Sequence, residues 1–169
     1  TLLYMHAKEL FEVGPGAANL CKLGQLLMVD VFLNNSDRIK AKCWDNDGNG
    51  GNVLVHGGTF EAGAGRGHGT QDEPSIIPID SVVTALKPSA PTTFFEKYHS
   101  RVQTFLEELC AEHCDVGNVL GGVRDFVREN TGAVLSDDAL GTVRKGALDG
   151  ISLISGSLDG NCIDTIIEK

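Results

Sequence analysis

The sequence contains no apolar run near the ~20 residues that a membrane-spanning helix needs, and its opening residues show no signal-peptide pattern. A membrane partner is therefore not expected, and a cytoplasmic location is. Basic residues are the scarcer charge. Fourteen Lys and Arg stand against 23 Asp and Glu, a formal net charge of −9. Binding a phosphate backbone without sequence preference requires a basic face, so nucleic acid is not an expected partner either. Paired cysteines are also lacking: the five present (Cys21, Cys43, Cys110, Cys114, Cys162) are odd in number and scattered, as reduced thiols are. Cys110 and Cys114 flank His113 at helical spacing, but no second Cys or His pair completes a zinc site. Buried helical cysteines are the expectation there.

What is present suits one globular domain, residues 1–169. A chain of 169 residues with 41% hydrophobic content can remove roughly 70% of its unfolded surface from water. There is no internal repeat and no composition break that marks a boundary. Residues 1–16 are short and mixed, ending in the turn signal Gly14-Pro15-Gly16. Ala17 to Asn34 reads as a helix, apolar almost all round from Leu26 to Leu33 except at Asp30, and so expected in the middle of the core. Asn34-Asn35-Ser36-Asp37-Arg38 ends it with turn-forming residues. Asn52-Val53-Leu54-Val55 and Ile76 to Ile79 read as two short strands. Between them, residues 57–74 are so rich in glycine that a mobile loop is expected. Three helices follow: Thr93 to His113, Asp115 to Asn130 with Gly132 as C-cap, and one from Ser136 or Asp137 to about Ser155, with Asn161 to Glu168 as a short last one.

The Asp/Asn/Gly centre admits three chemical readings. Asp45, Asp47, Asn49 and Gly50 match the start of a calcium loop, but the position of the bidentate Glu is His56, so a solvated turn explains them better. Gly63 to Gly69 could suggest a phosphate loop, but no Lys-Ser/Thr follows and a surface loop is the simpler reading. The third reading joins distant pieces: Asp37 after the core helix, Asn52 at the first strand and Asp80 after the second. Phosphoryl transfer uses such a set, one carboxylate to orient the attacking hydroxyl, with an Asn and a second Asp to hold magnesium on the nucleotide phosphates. A hairpin of the two strands would bring Asn52 and Asp80 together.

The residues from Leu23 to Leu86 that carry this pattern, Leu23 to Arg38, Trp44, Gly48 to Val55 and Ile79-Asp80-Ser81, resemble the catalytic domain of the actin-fragmin kinases. These are atypical protein kinases that phosphorylate actin on threonine. The resemblance implies an α+β, mainly helical fold: a protein-kinase-like C-lobe with a small β-hairpin region and a C-terminal helical bundle. It implies Mg2+ and ATP as cofactors, Asp37 as the catalytic aspartate, Asn52 and Asp80 as metal and cofactor ligands, and a protein substrate that for this family is cytoskeletal. It leaves the oligomeric state open. His-Arg-Asp and Asp-Phe-Gly motifs are absent, and Asn52 follows Asp37 by 15 positions. Only 36 residues precede Asp37, and none of the lysines there has strand context. A lobe covering the nucleotide is thus expected to lie elsewhere, with the isolated chain inactive or a non-catalytic interaction module. Each residue also has a plainer role: Asp37 as a helix terminator paired with an exposed Arg38, Asn52 as a turn residue, Asp80 as a cap for Ser81 to Leu86. Asp30 reads as a satisfied core carboxylate, hydrogen-bonded to backbone or to Arg38, and Trp44 as a packing anchor. His56 and His68 read as solvated, and Phe94, Phe95 and Tyr98 as core.

Overall fold

The structure, a computed structural model, describes residues 7–14, 16–56, 75–80 and 92–157. The expected loop at 57–74, the segment Ser81 to Leu86 and the helix Asn161 to Glu168 lie outside them. The described chain is mainly helical with one small antiparallel sheet. Helix α1 is Ala7–Phe11, α2 is Ala17–Leu33, and a 3-10 turn at Gly50–Asn52 leads into strand β1, Val53–His56. Strand β2 is Ser75–Pro78, followed by α3 at Thr92–Cys110, α4 at Val116–Val119, α5 at Gly121–Thr131 and α6 at Asp137–Ser157.

The centre of the molecule is α2 against α6. Leu20, Leu23, Leu27, Met28 and Val31 of α2 meet Leu140, Val143 and Ala147 of α6, all of them buried. Glycine sets the spacing. A Cβ on Gly24 would strike the Val143 carbonyl oxygen, and one on Gly146 would strike the Cys21 carbonyl. The backbones therefore approach as no larger residue would allow. One expectation for α2 is corrected: it is not buried on every side, because Val29 and Phe32 are 40% and 54% exposed.

Helix α2 stops at Asn34, which adopts a left-handed φ of 51° that Asn tolerates better than most residues, while the Asn35 amide donates to the Asp30 carbonyl at 2.8 Å. The turn folds residues 35–52 back beneath the helix. Strands β1 and β2 pair with Val53 opposite Pro78, Leu54 opposite Ile77 and Val55 opposite Ile76. Val53 and Ile76 are buried on one face; Leu54 and Ile77 are exposed on the other. The Asn19 carboxamide oxygen accepts from the Ile76 amide at 3.3 Å, fastening the ribbon to α2.

The remaining helices close the other side. The expected helix Asp115 to Asn130 is two, broken at Leu120, where Gly122 lets the chain run against Lys40 and Ala41. Gly132 ends α5 with φ 77°, and the Ser136 hydroxyl accepts from the Ala139 amide at 3.2 Å at the start of α6. Arg144 of α6 donates to the Leu109 and Ala111 carbonyls at 2.8 and 2.7 Å, closing the end of α3. Helix α1, within a stretch read as irregular, buries Leu10 and Phe11. Cys110, expected to be buried, is exposed; among the described residues Cys43 is the buried thiol, and burial pushes its pKa up to about 12.

Candidate phosphoryl-transfer site

The candidate site is the loop between α2 and β1 together with the end of β2. Its shape is set by side chains that bond to backbone. Asn46 donates to the Ser36 and Ile39 carbonyls, each at 2.8 Å, and its oxygen accepts from the Ala41 amide at 3.4 Å. The Asn49 amide donates to the Arg38 carbonyl at 2.9 Å, and the Asn49 side chain accepts from Gly51 at 3.0 Å. Gly48, at φ 74°, lies against the Phe126 ring and the Lys40 amide, where no side chain fits. Trp44 donates its indole N–H to the Asn34 carboxamide oxygen at 3.3 Å, a packing anchor as expected.

The loop presents Asp37 at the surface and Asn52 buried beneath it. The Asn52 side-chain nitrogen donates to the Asp37 carboxylate at 3.0 Å and to the Asp37 carbonyl at 3.2 Å. Both neighbours are pure acceptors, so the amide nitrogen must face them, and Oδ1 is the atom not used in these bonds. The Asn52 carbonyl in turn accepts from the Ile79 amide at 2.9 Å, which places Asp80 one residue beyond the ladder. Asp80 is exposed and holds a left-handed φ of 50°. Such a conformation is uncommon outside glycine and is found preferentially at functional sites.

A second correction concerns Arg38. It is not an exposed partner of Asp37; it is 2% exposed and pairs with Asp30 at 2.6 Å. Its other arm donates to the Asp80 carbonyl at 3.2 Å. Asp30 also accepts from the Asn35 side chain at 2.9 Å. Burial pushes the Asp30 carboxyl up to about 6, against the pull of Arg38 and Asn35. The sequence carried a signal for this pair: an aspartate inside an apolar helix requires a cation within reach.

The structure thus brings together Asp37 and Asn52 by direct contact, and Asp80 through the backbone of its neighbour and through Arg38. An amide oxygen and an exposed carboxylate are hard donors of the kind magnesium accepts, so the residues fit that ion. The calcium reading is not supported. Asp45 pairs with Arg101 at 2.9 Å and Asp47, almost fully exposed, lies 3.9 Å from Lys40. Among the described residues no group of three or more His, Cys, Asp or Glu could hold a metal, and no helix is long and apolar enough to cross a membrane.

The loop thus holds a carboxylate–carboxamide pair at the start of a short hairpin, and a second aspartate follows the hairpin's other strand. The family described as "Actin-fragmin kinase, catalytic" matches residues 4–151, and the chain belongs to that family. A Dictyostelium discoideum protein whose name places it among the actin-fragmin kinases is 26% identical over 168 residues. The match takes in 96% of this chain and 36% of that relative's length.

Proposed function

We propose that the chain carries the catalytic-loop and metal-binding side of an atypical protein kinase, within a single domain that has the architecture of a kinase C-lobe. The reaction is transfer of a phosphoryl group from Mg-ATP to a Ser or Thr hydroxyl of a protein. The observation that carries this reading is the Asn52 side chain, bonded to the Asp37 carboxylate, while its backbone is bonded to the residue before Asp80.

In this reading Asp37 accepts a hydrogen bond from the substrate hydroxyl, aligns its oxygen for in-line attack and takes up the proton as the bond to phosphorus forms. Asn52 holds the Asp37 carboxylate in place and turns its own Oδ1 toward the metal side. Asp80 supplies the second oxygen ligand. Magnesium bound with ATP would neutralise charge on the phosphates while the γ-phosphoryl group passes to the hydroxyl and ADP leaves. The exposed face of the ribbon, Leu54 and Ile77, is an apolar floor beside these groups on which the nucleotide base can rest. The matched relative is named for actin, which makes actin the first protein substrate to try.

The test is phosphate transfer from Mg-ATP to actin and to an unrelated Ser/Thr-rich protein, using the whole natural protein that contains this chain. Asp37→Asn and Asp80→Ala should each lower turnover at least about 100-fold with an unchanged melting curve. Full turnover in either variant overturns the assignment. A natural protein that folds, binds partners and transfers no phosphate would be an interaction module of the same shape.

A further inference from the structure

We infer that Arg38 is a positioning residue: its guanidinium ties the buried Asp30 of α2 to the Asp80 backbone and so fixes the two halves of the site relative to each other. The inference rests on the reading of Asp80 as a metal ligand. Asp37 and Asn52 are held by the loop, but Asp80 comes from the far strand and lies outside the ladder. Two bonds fix its place: Ile79 N–H to the Asn52 carbonyl, and the Asp80 carbonyl to Arg38 Nη2. Without the second, nothing else described restrains the carbonyl that follows the left-handed φ at Asp80.

The geometry explains why an arginine stands directly after Asp37. One planar fork reaches two acceptors at once, Asp30 through Nη1 at 2.6 Å and Asp80 through Nη2 at 3.2 Å. The anchor behind it is rigid. Asp30 is fully buried in α2, is braced by Asn35, and lies on the helix that packs backbone to backbone on α6. A lysine at this position keeps the charge but offers a single point donor. The position of Asp80 is therefore referred to the core helix and not to the loop that carries Asp37.

Two variants of the whole natural protein test this: Arg38→Lys, and Asp30→Leu/Arg38→Met, which replaces the buried pair by apolar volume so that folding is not lost with the charges. Amide exchange at Ile79, read against the amides of Leu54 and Val55, reports the Asp80 end of the ribbon independently of catalysis. Ile79 exchange should rise at least about tenfold in both variants, with Leu54 and Val55 unchanged. The Mg2+ concentration giving half-maximal transfer should rise by about tenfold, with a smaller change in kcat at saturating Mg2+. If both variants fold and leave the Ile79 exchange and the Mg2+ requirement at parental values, the pair is merely structural and the inference falls. Faster Ile79 exchange in both variants of a parent protein that itself transfers no phosphate would remove the kinase reading while leaving the coupling of Arg38 to Asp80 in place.

Discussion

Two regions meet on helix α2, and they are built on opposite principles. Its middle, against α6, is a seam of glycine and aliphatic side chains in which contact is made chiefly by shape, with one Cys21 to Asp149 hydrogen bond at its exposed edge. Its end, from Asp30 to Asn52, is held by polar groups, and nearly every Asn in that stretch is bonded to a neighbouring backbone or carboxylate. Apolar burial is non-directional, so the seam supplies stability but tolerates no added volume. Hydrogen bonds contribute less on balance, yet they fix atoms in place. The seam holds the molecule together; the stitched loop sets the angles of the groups that would act.

The largest disturbance of this contrast comes from the single charge pair shared by both regions. Arg38→Met leaves the Asp30 carboxylate alone in the core and should cost about 3–5 kcal/mol near pH 7.5, measured by urea unfolding. The pH dependence has a definite sign. The folded protein holds the Asp30 proton more tightly than the unfolded chain, because burial raises the carboxyl from 3.8 to about 6. Stability from this group is complete below about pH 4 and is lost as pH rises through 6, at up to 1.36 kcal/mol per pH unit. The penalty of Arg38→Met should accordingly shrink as pH is lowered toward 5. A penalty that grew on acidification would contradict the burial argument.

The seam should respond less, and without regard to pH. Gly146→Ala places a methyl group where the Cys21 carbonyl lies, so α2 and α6 must separate, at a cost of about 1–3 kcal/mol. Equal losses at pH 5 and 7.5 would show that the cost comes from packing and not from charge; a silent substitution would show that the helices can part freely. The smallest effect belongs to the loop's exterior. Asp47→Ala removes a fully exposed carboxylate 3.9 Å from Lys40 and should shift stability by less than about 0.5 kcal/mol. Calorimetry with Ca2+ should give no heat with either protein.

How much of this was legible depended on whether the signal was local. The end of α2 lies one residue from where Asn34 and Asn35 put it, and the two β-rich runs do pair, since turn chemistry and strand patterning act over a few residues. The nearness of Asn52 to Asp80 followed from that pairing. The break at Leu120 did not show, because aliphatic periodicity runs unbroken across it and the cause is a close approach to Lys40. The seam was illegible for a similar reason: Gly24 and Gly146 weaken a helix pattern, and only their pairing across a long separation gives them a purpose. Arg38 had two readings: the exposed partner of Asp37, which a charged residue after a turn suggests, failed, and the partner of the core carboxylate Asp30 held.

The arrangement of α6 has a consequence for the order of assembly. Cys21 and Asp149 face each other across the seam, their side chains 3.8 Å apart, with 128 positions between them in the sequence. During synthesis α2 leaves the ribosome long before the helix that covers it. Contacts of this separation are slow to form, because loop closure must precede them. The apolar side of α2 therefore stays open until most of the chain is made, and the position of Asp80, referred to that helix through Arg38, is set late. A nascent chain halted before α6 would carry every residue of the candidate site, with the helix that Asp80 is referred to not yet covered.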